Sequence, residues 1–203
     1  MKHIIKIKKL WIDISFSIAL LIPLVASLII KDWSIYTSAL SDFATQPRTA
    51  GLWPIYLVIT AVGLWLNGSN MIENKYEGIK SHVLSYMLNI SCTGLFLTAL
   101  ITDEFRIAHT IVAGIFFLVY CLFIFVYGFW QIKDKSLKEG GFSVITSFLL
   151  LLTTLLAIPF SGLALFEISY IAIIVLWNWS IRRKTPVAKA TKIFNSIINR
   201  CRK

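Results

Sequence analysis

The sequence predicts an all-α integral membrane protein: a bundle of six spanning helices with both termini cytoplasmic and an amphipathic interfacial helix at the C-terminal end. Three observations predict it. Of the 203 residues, 57% are apolar and only 15% charged, with a mean hydropathy of +0.76, more apolar surface than a water-soluble domain of this size could bury. The apolar residues fall into six runs near the roughly 20 residues that cross a bilayer core. The basic residues alternate from one hydrophilic segment to the next, 17 of 20 falling on segments that share a side.

Those 17 are Lys2, Lys6, Lys8 and Lys9, then Lys75 and Lys80, then Lys133, Lys135 and Lys138, then eight from Arg182 to Lys203. Only Lys31, Arg48 and Arg106 lie opposite. This positive-inside pattern places both termini in the cytoplasm of a prokaryotic-type membrane. It also accounts for the net charge of +10, so no nucleic-acid partner is expected.

The spans follow in order, within a transmembrane domain of residues 1–184. The first, 12–30, lacks a signal-peptide cleavage site, is too long for a signal core, and carries Pro23, tolerable where neighbouring groups satisfy the freed carbonyl. A long outer segment, 31–50, is rich in Ser, Thr, Asp and aromatics. The second span, 51–66, places Trp53 and Tyr56 at headgroup depth, takes Pro54 in its first turn, and ends at the turn signal Asn67-Gly68. A polar cytoplasmic loop, 69–82, leads to span three, 83–102. The outer turn 103–109 is short enough to make spans three and four (110–132) antiparallel neighbours. After the basic loop 133–141, span five covers 142–160. Ser161-Gly162 turns into span six, 163–181, with Trp177 and Trp179 anchoring its cytoplasmic end.

Beyond Pro186, the tail 185–203 places Ala190, Ile193, Phe194 and Ile197 at helical spacing, with Lys189, Lys192 and Arg200 largely on other faces. Such a helix lies on an anionic inner leaflet, each basic residue contributing about 1 kcal/mol near the surface. Cys92 and Cys121 fall within spans and read as inert buried thiols; Cys201 lies in the basic cytoplasmic tail, beside Arg200 and Arg202.

The polar groups that a bilayer would exclude gather on the outer side. They are Ser38, Ser41, Asp42 and Arg48 in the long segment, Asp103, Glu104, Arg106 and His109 in the short turn, and Glu167 in span six. Glu167 lies four residues past Leu163, about 6 Å below the boundary at about 1.5 Å per residue. An intramembrane carboxylate must be paired, hydrated or protonated, and signals function unless it braces the bundle, for instance through Arg106, Ser161 or Tyr170. An imidazole can act as acid, base or switch, and His109 brings one to this end. Ser85, Asn89 and Thr93 recur on one face of span three, a pattern that favours glue between helices over a cavity wall.

Counting excludes other chemistries. His3 and His82 fall on the cytoplasmic side and His109 on the outer side, so neither a three-His metal site nor a bis-histidine haem is expected, and no cofactor. The sequence has no Cys-x-x-Cys, Gly-x-Ser-x-Gly or P-loop.

Two stretches carry a family resemblance: Ser38-Ala-Leu-Ser41-Asp42, followed by Pro47, Arg48 and an aromatic second span, and His109-Thr-Ile-Val-Ala113-Gly-Ile-Phe116-Phe117. The second resembles the His-x-x-x-Ala-x-x-Phe-Phe signature of the six-span superfamily of DRAM autophagy modulators, GPI-lipid remodelling membrane proteins and their prokaryotic relatives. The resemblance implies a six-helix bundle in which Asp42 and His109 meet at the outer face, and a link to membrane lipids.

The leading functional expectation is a metal-independent membrane protein that binds or helps process a lipid or lipid-linked headgroup in an outward pocket, with Arg48 and Arg106 gripping an anionic group. Membrane lipids are the expected partners, together with a membrane-protein partner or a second copy of the chain. A second reading is a lipid hydrolase or acyl transferase with catalytic His109 as base, Asp42 orienting its ring and Glu167 as acid. A third is a proton-coupled small-molecule carrier working through Glu167.

Overall fold

A computed structural model of the chain describes residues 2–30, 33–101, 105–134, 137–159 and 162–184. The expected tail helix with Lys189, Lys192 and Arg200, Cys201, Ser161, and the outer-turn residues Asp103 and Glu104 lie outside the described residues. The described secondary structure is helical: α1 (Lys2–Ile29), α2 (Asp42–Thr45), α3 (Leu52–Lys75), α4 (Gly78–Leu100), α5 (Arg106–Asp134), α6 (Leu137–Thr153) with a 3-10 continuation (Thr154–Ala157), and α7 (Ala164–Lys184). All but the single turn α2 contribute a segment long and apolar enough to cross a membrane, six in total. The all-α six-helix architecture expected from hydropathy is the one observed.

Each spanning helix packs beside the next in chain order, and α7 closes the ring on α1 while also touching α3. The connections enforce this. Between α3 and α4 only Tyr76 and Glu77 intervene, with Gly78 at φ 61 supplying the left-handed residue that reverses the chain. Lys75, Lys80, Lys133 and Arg182 sit at one end of the bundle, the basic end, and the segment between α1 and α3 caps the other, the loop end.

The second helix is longer than expected. Asn67-Gly68 does not turn; α3 runs on to Lys75, because Met71 and Ile72 continue its buried face and are almost wholly enclosed. Asn67 instead faces the bundle axis, where its Nδ2 donates to Asn178 Oδ1 at 2.7 Å, and Asn178 Nδ2 donates to Tyr120 Oη at 2.9 Å. In a bilayer, lipid tails are as apolar as the helices, so packing and such bonds hold helices together. This chain ties α3, α5 and α7 at their centre.

Three of the aromatics expected near the boundaries face the bundle interior. Trp53 and Tyr56 are buried, in a row with Trp33 and Phe43 whose tilted and edge-on rings have successive centroids 5.0, 5.9 and 5.0 Å apart. Trp177 is also buried and donates Nε1 to Ser143 Oγ at 3.0 Å, leaving Trp179 as the exposed one. Both are core residues because the bundle has an aromatic interior: Tyr120, Phe123, Tyr127 and Tyr170 are enclosed between α5 and its neighbours. Cys92 and Cys121 are buried free thiols on separate helices, and Asn89 bonds Trp65 Nε1 at 2.9 Å between α4 and α3, as interhelical glue.

Helices α5 and α6 approach closely near the basic end and diverge toward the loop end. A Cβ on Gly128 would lie 2.9 Å from the Gly140 carbonyl, and one on Gly140 would lie 2.6 Å from the Gly128 carbonyl. Only glycine admits backbones this near. Further along, the last turn of α6 tightens into 3-10 geometry, with Thr153 and Thr154 hydroxyls donating to the carbonyls three residues back. The wedge opened between the two helices is the principal cavity of the loop end.

Candidate functional site

The site is built from the capping segment downward. Leu40 and Phe43 are driven into the bundle mouth, each 1% exposed, which pulls the intervening polar residues to the rim. Asp42 begins α2 and reaches back, its Oδ2 accepting the Ala39 amide at 2.8 Å. Thr49 Oγ1 donates to the Phe43 carbonyl at 2.7 Å, and Trp33 Nε1 to the Ala39 carbonyl at 3.2 Å, fixing the segment on itself.

The segment is docked on α7 through backbone and carboxylate. Gly162 N–H donates to the Tyr36 carbonyl at 3.1 Å, and Ala164 N–H to the Ser38 carbonyl at 2.9 Å. A Cβ on Gly162 would stand 2.3 Å from the Ser38 oxygen, so the approach requires glycine. Glu167, in the first turn of α7, accepts the Leu40 amide through Oε2 at 2.7 Å. An acidic side chain is favoured there by the helix dipole. Thus the successive amides of Ala39 and Leu40 are held by Asp42 and Glu167.

His109 opens α5 and is buried at 9% exposure. Its Nδ1 lies 2.8 Å from the Ile101 carbonyl. A carbonyl only accepts, so Nδ1 carries a proton, and in the neutral ring Nε2 is then the acceptor. The imidazole is therefore oriented by a backbone carbonyl, and Asp42 by the Ala39 amide, in place of the Asp42 to His109 bond expected from the sequence. Of the braces considered for Glu167, Ser161 lies outside the described residues and Tyr170 bonds elsewhere. Tyr170 donates to the Phe117 carbonyl, and Glu167 Oε2 takes the Leu40 amide.

Between α5, α6 and α7 runs a groove of about 700 Å³, within the range of small-molecule sites. Ser41, Asp42, Arg106, His109, Thr110 and Glu167 line its mouth. Its length is apolar, walled by Phe117, Leu118, Leu150, Leu151 and Phe166 down to Cys121. From Arg106 to Cys121 is about 22 Å along α5 at about 1.5 Å per residue. Leu118 and Leu151 are exposed at its edges while Cys121 and Leu150 are buried at its floor, so the groove opens sideways between α5 and α6. A second, smaller cavity reaches from His109 and Glu167 toward Leu64 and Ile174 inside the ring.

Of the sequence-predicted site residues, Ser41, Asp42, Arg106, His109 and Glu167 converge on the groove mouth. Arg48 does not; it is exposed beyond α2. Ser38 is a turn residue whose Oγ accepts the Ser34 amide at 3.2 Å. Sequence reading missed Asn67, Asn178 and Tyr120, and a basic-end cluster in which Lys75 pairs with Glu139 at 2.5 Å beside buried Tyr76, Tyr127 and Gln131. There burial pushes the Tyr76 phenol above its ordinary range, so it stays protonated and donates to the Tyr127 carbonyl at 3.0 Å. Among the described residues, no group of three or more His, Cys, Asp and Glu is arranged to hold a metal ion.

A family model described as protein of unknown function (DUF998) matches residues 14–180. The chain belongs to that family. No curated protein and no solved structure matches it.

Proposed function

We propose that this DUF998 protein holds one membrane lipid at the loop end of its bundle, the headgroup among Asp42, Arg106, His109 and Glu167 and a hydrocarbon chain in the groove between α5 and α6. The observation that carries this reading is the groove itself, polar at the mouth and apolar along its length. Its run of about 22 Å along α5 exceeds the roughly 15 Å depth of one leaflet's hydrocarbon, and its side opening lets a lipid enter without leaving the bilayer. Arg106 supplies the guanidinium that suits a phosphate. The likeness of the His109 to Phe117 stretch to the lipid-remodelling superfamily supports the same link.

The charge distribution supports a cytoplasmic membrane with the termini inside and the loop end outward. There the protein acts as an accessory or processing factor for envelope lipids, its tail resting on the anionic inner leaflet. Native mass spectrometry of gently extracted protein tests the reading. One retained lipid, lost in Arg106→Ala, is expected; a wild-type protein that retains none refutes it.

A second reading, a hydrolase or acyl transferase on the same lipid, is favoured by one observation. The bond from His109 Nδ1 to the Ile101 carbonyl makes Nε2 the nitrogen that takes a proton when the ring is neutral, with Ser41 on the same cavity wall. Turnover of a retained lipid during incubation, abolished in His109→Gln, would establish it; an unchanged lipid mass over the same period would retire it.

A further inference from the structure

The groove has a floor as well as a mouth, and its depth bears on which hydrocarbon chain it takes. On α5 the lining residues run from Arg106 at the mouth to Cys121 and stop there; on α6 they stop at Leu150. Partway along, the groove is open: a Cβ on Gly114 would meet nothing within 4 Å. Beyond Cys121 the two helices close. Cys121 Sγ donates to the Ser147 carbonyl at 3.3 Å across the gap, and Phe125 meets Phe148 edge-on with ring centroids 6.3 Å apart. Lower still, Gly128 and Gly140 bring the two backbones together. The groove therefore ends blind, at a floor made by Cys121 and Leu150, both buried.

A blind end makes length matter. Lipid tails are as apolar as the protein walls, so a chain is held by packing against walls denser than fluid hydrocarbon. A chain too short for the groove leaves a void at the buried floor, whose lining loses its partner atoms. A chain too long must leave by the side, and its extra carbons gain no wall contacts. From Thr110, one turn below Arg106, to Cys121 is about 16 Å at about 1.5 Å per residue. An extended hydrocarbon chain advances about 1.3 Å per carbon, given C–C bonds of about 1.5 Å at near-tetrahedral angles. The apolar length thus matches about 13 carbons beyond a carbonyl held at the mouth.

Resting on the lipid-site reading above, we propose that the groove measures its lipid: Cys121 and Leu150 form a stop that selects an acyl chain of about 14 carbons. These two side chains are then the determinants of which chain lengths the protein holds.

The test is competitive native mass spectrometry of the full chain with two equimolar series, phosphatidylglycerols and phosphatidylethanolamines. Each lipid carries two identical saturated chains, from about 10 to about 18 carbons in steps of two. Retention is expected to rise with length up to about 14 carbons, at least about threefold per step, and to rise no further. Cys121→Leu raises the floor and should move that limit to shorter chains. Leu150→Ala lowers it and should move the limit to longer ones. Each limit is read from ratios within one folded population, so a variant that folds in lower yield still reports it, and a general loss of stability moves it in neither direction. Retention independent of chain length, or a limit that either folded variant leaves in place, overturns the stop and leaves the lipid site standing. Retention of no member of either series overturns both.

Discussion

The Glu167 carboxylate accepts the amide of Leu40, 127 residues earlier in the chain, at 2.7 Å. The bond joins α7 to the segment that caps the bundle, and the same carboxylate lines the groove. Brace and site are thus one residue. The brace runs to a backbone amide and leaves Arg106 to the groove mouth.

That arrangement predicts the outcome of a double-mutant cycle. Glu167→Gln keeps an oxygen for the amide but exchanges a charged acceptor for a neutral one, a loss of about 1 kcal/mol. Arg106→Leu added to it should give no recovery, the two effects summing to within about 0.5 kcal/mol as for independent sites. Melting temperatures in detergent measure this. Rescue by the second change would instead show an ion pair between the two.

Gly162→Ala should be among the most damaging small substitutions at the loop end. Its Cβ would meet the Ser38 oxygen at 2.3 Å and the Thr37 carbonyl carbon at 2.4 Å, both backbone atoms that cannot rotate away. The capping segment must lift, straining the Gly162 to Tyr36 and Ala164 to Ser38 bonds. Overpacking of this kind costs about 1–3 kcal/mol. Faster proteolysis within residues 33–51 than in wild type checks it, and an unchanged cleavage rate would mean that the segment is held elsewhere.

At the bundle centre, Asn178→Leu removes the partner of both Asn67 and Tyr120. Interhelical bonds in membranes average about 0.6 kcal/mol and reach about 1.7, so a loss of about 1–3 kcal/mol is expected from two of them. Adding Asn67→Leu should cost less than the sum of the single changes, since an orphaned polar group is worse than an apolar pair. Denaturant titration of both single variants and the double reads the coupling directly.

Six helices were legible because a bilayer demands long apolar runs, and their ring order because short connections make neighbours. The gathering of Asp42, His109 and Glu167 was legible at the level of a shared end, which alternation of the spans dictates. Asn67 was misread because Asn-Gly is a turn pair locally, whereas its partner Asn178 lies 111 residues away. Arg48 and Arg106 look equivalent in sequence. Only the burial of Phe43, which swings the following residues outward, separates them. The groove was invisible because it depends on the Gly128 and Gly140 crossing at the far end of the same two helices.

Two glycines of α5 make the final prediction, since they meet opposite surroundings on one helix. Gly128→Ala would place a methyl 2.8 Å from Ser143 Cβ and 2.9 Å from the Gly140 carbonyl, forcing α6 away. A loss of about 1–3 kcal/mol follows. At Gly114, which lines the groove, a Cβ meets nothing within 4 Å. Leucine there gains up to about 1 kcal/mol of helix propensity while filling the space assigned to the lipid chain. Gly114→Leu should therefore melt no lower than wild type once lipid is removed from both, yet retain no lipid on extraction. A variant that keeps its lipid would move the chain out of the groove, because a leucine and a hydrocarbon chain cannot occupy the same volume.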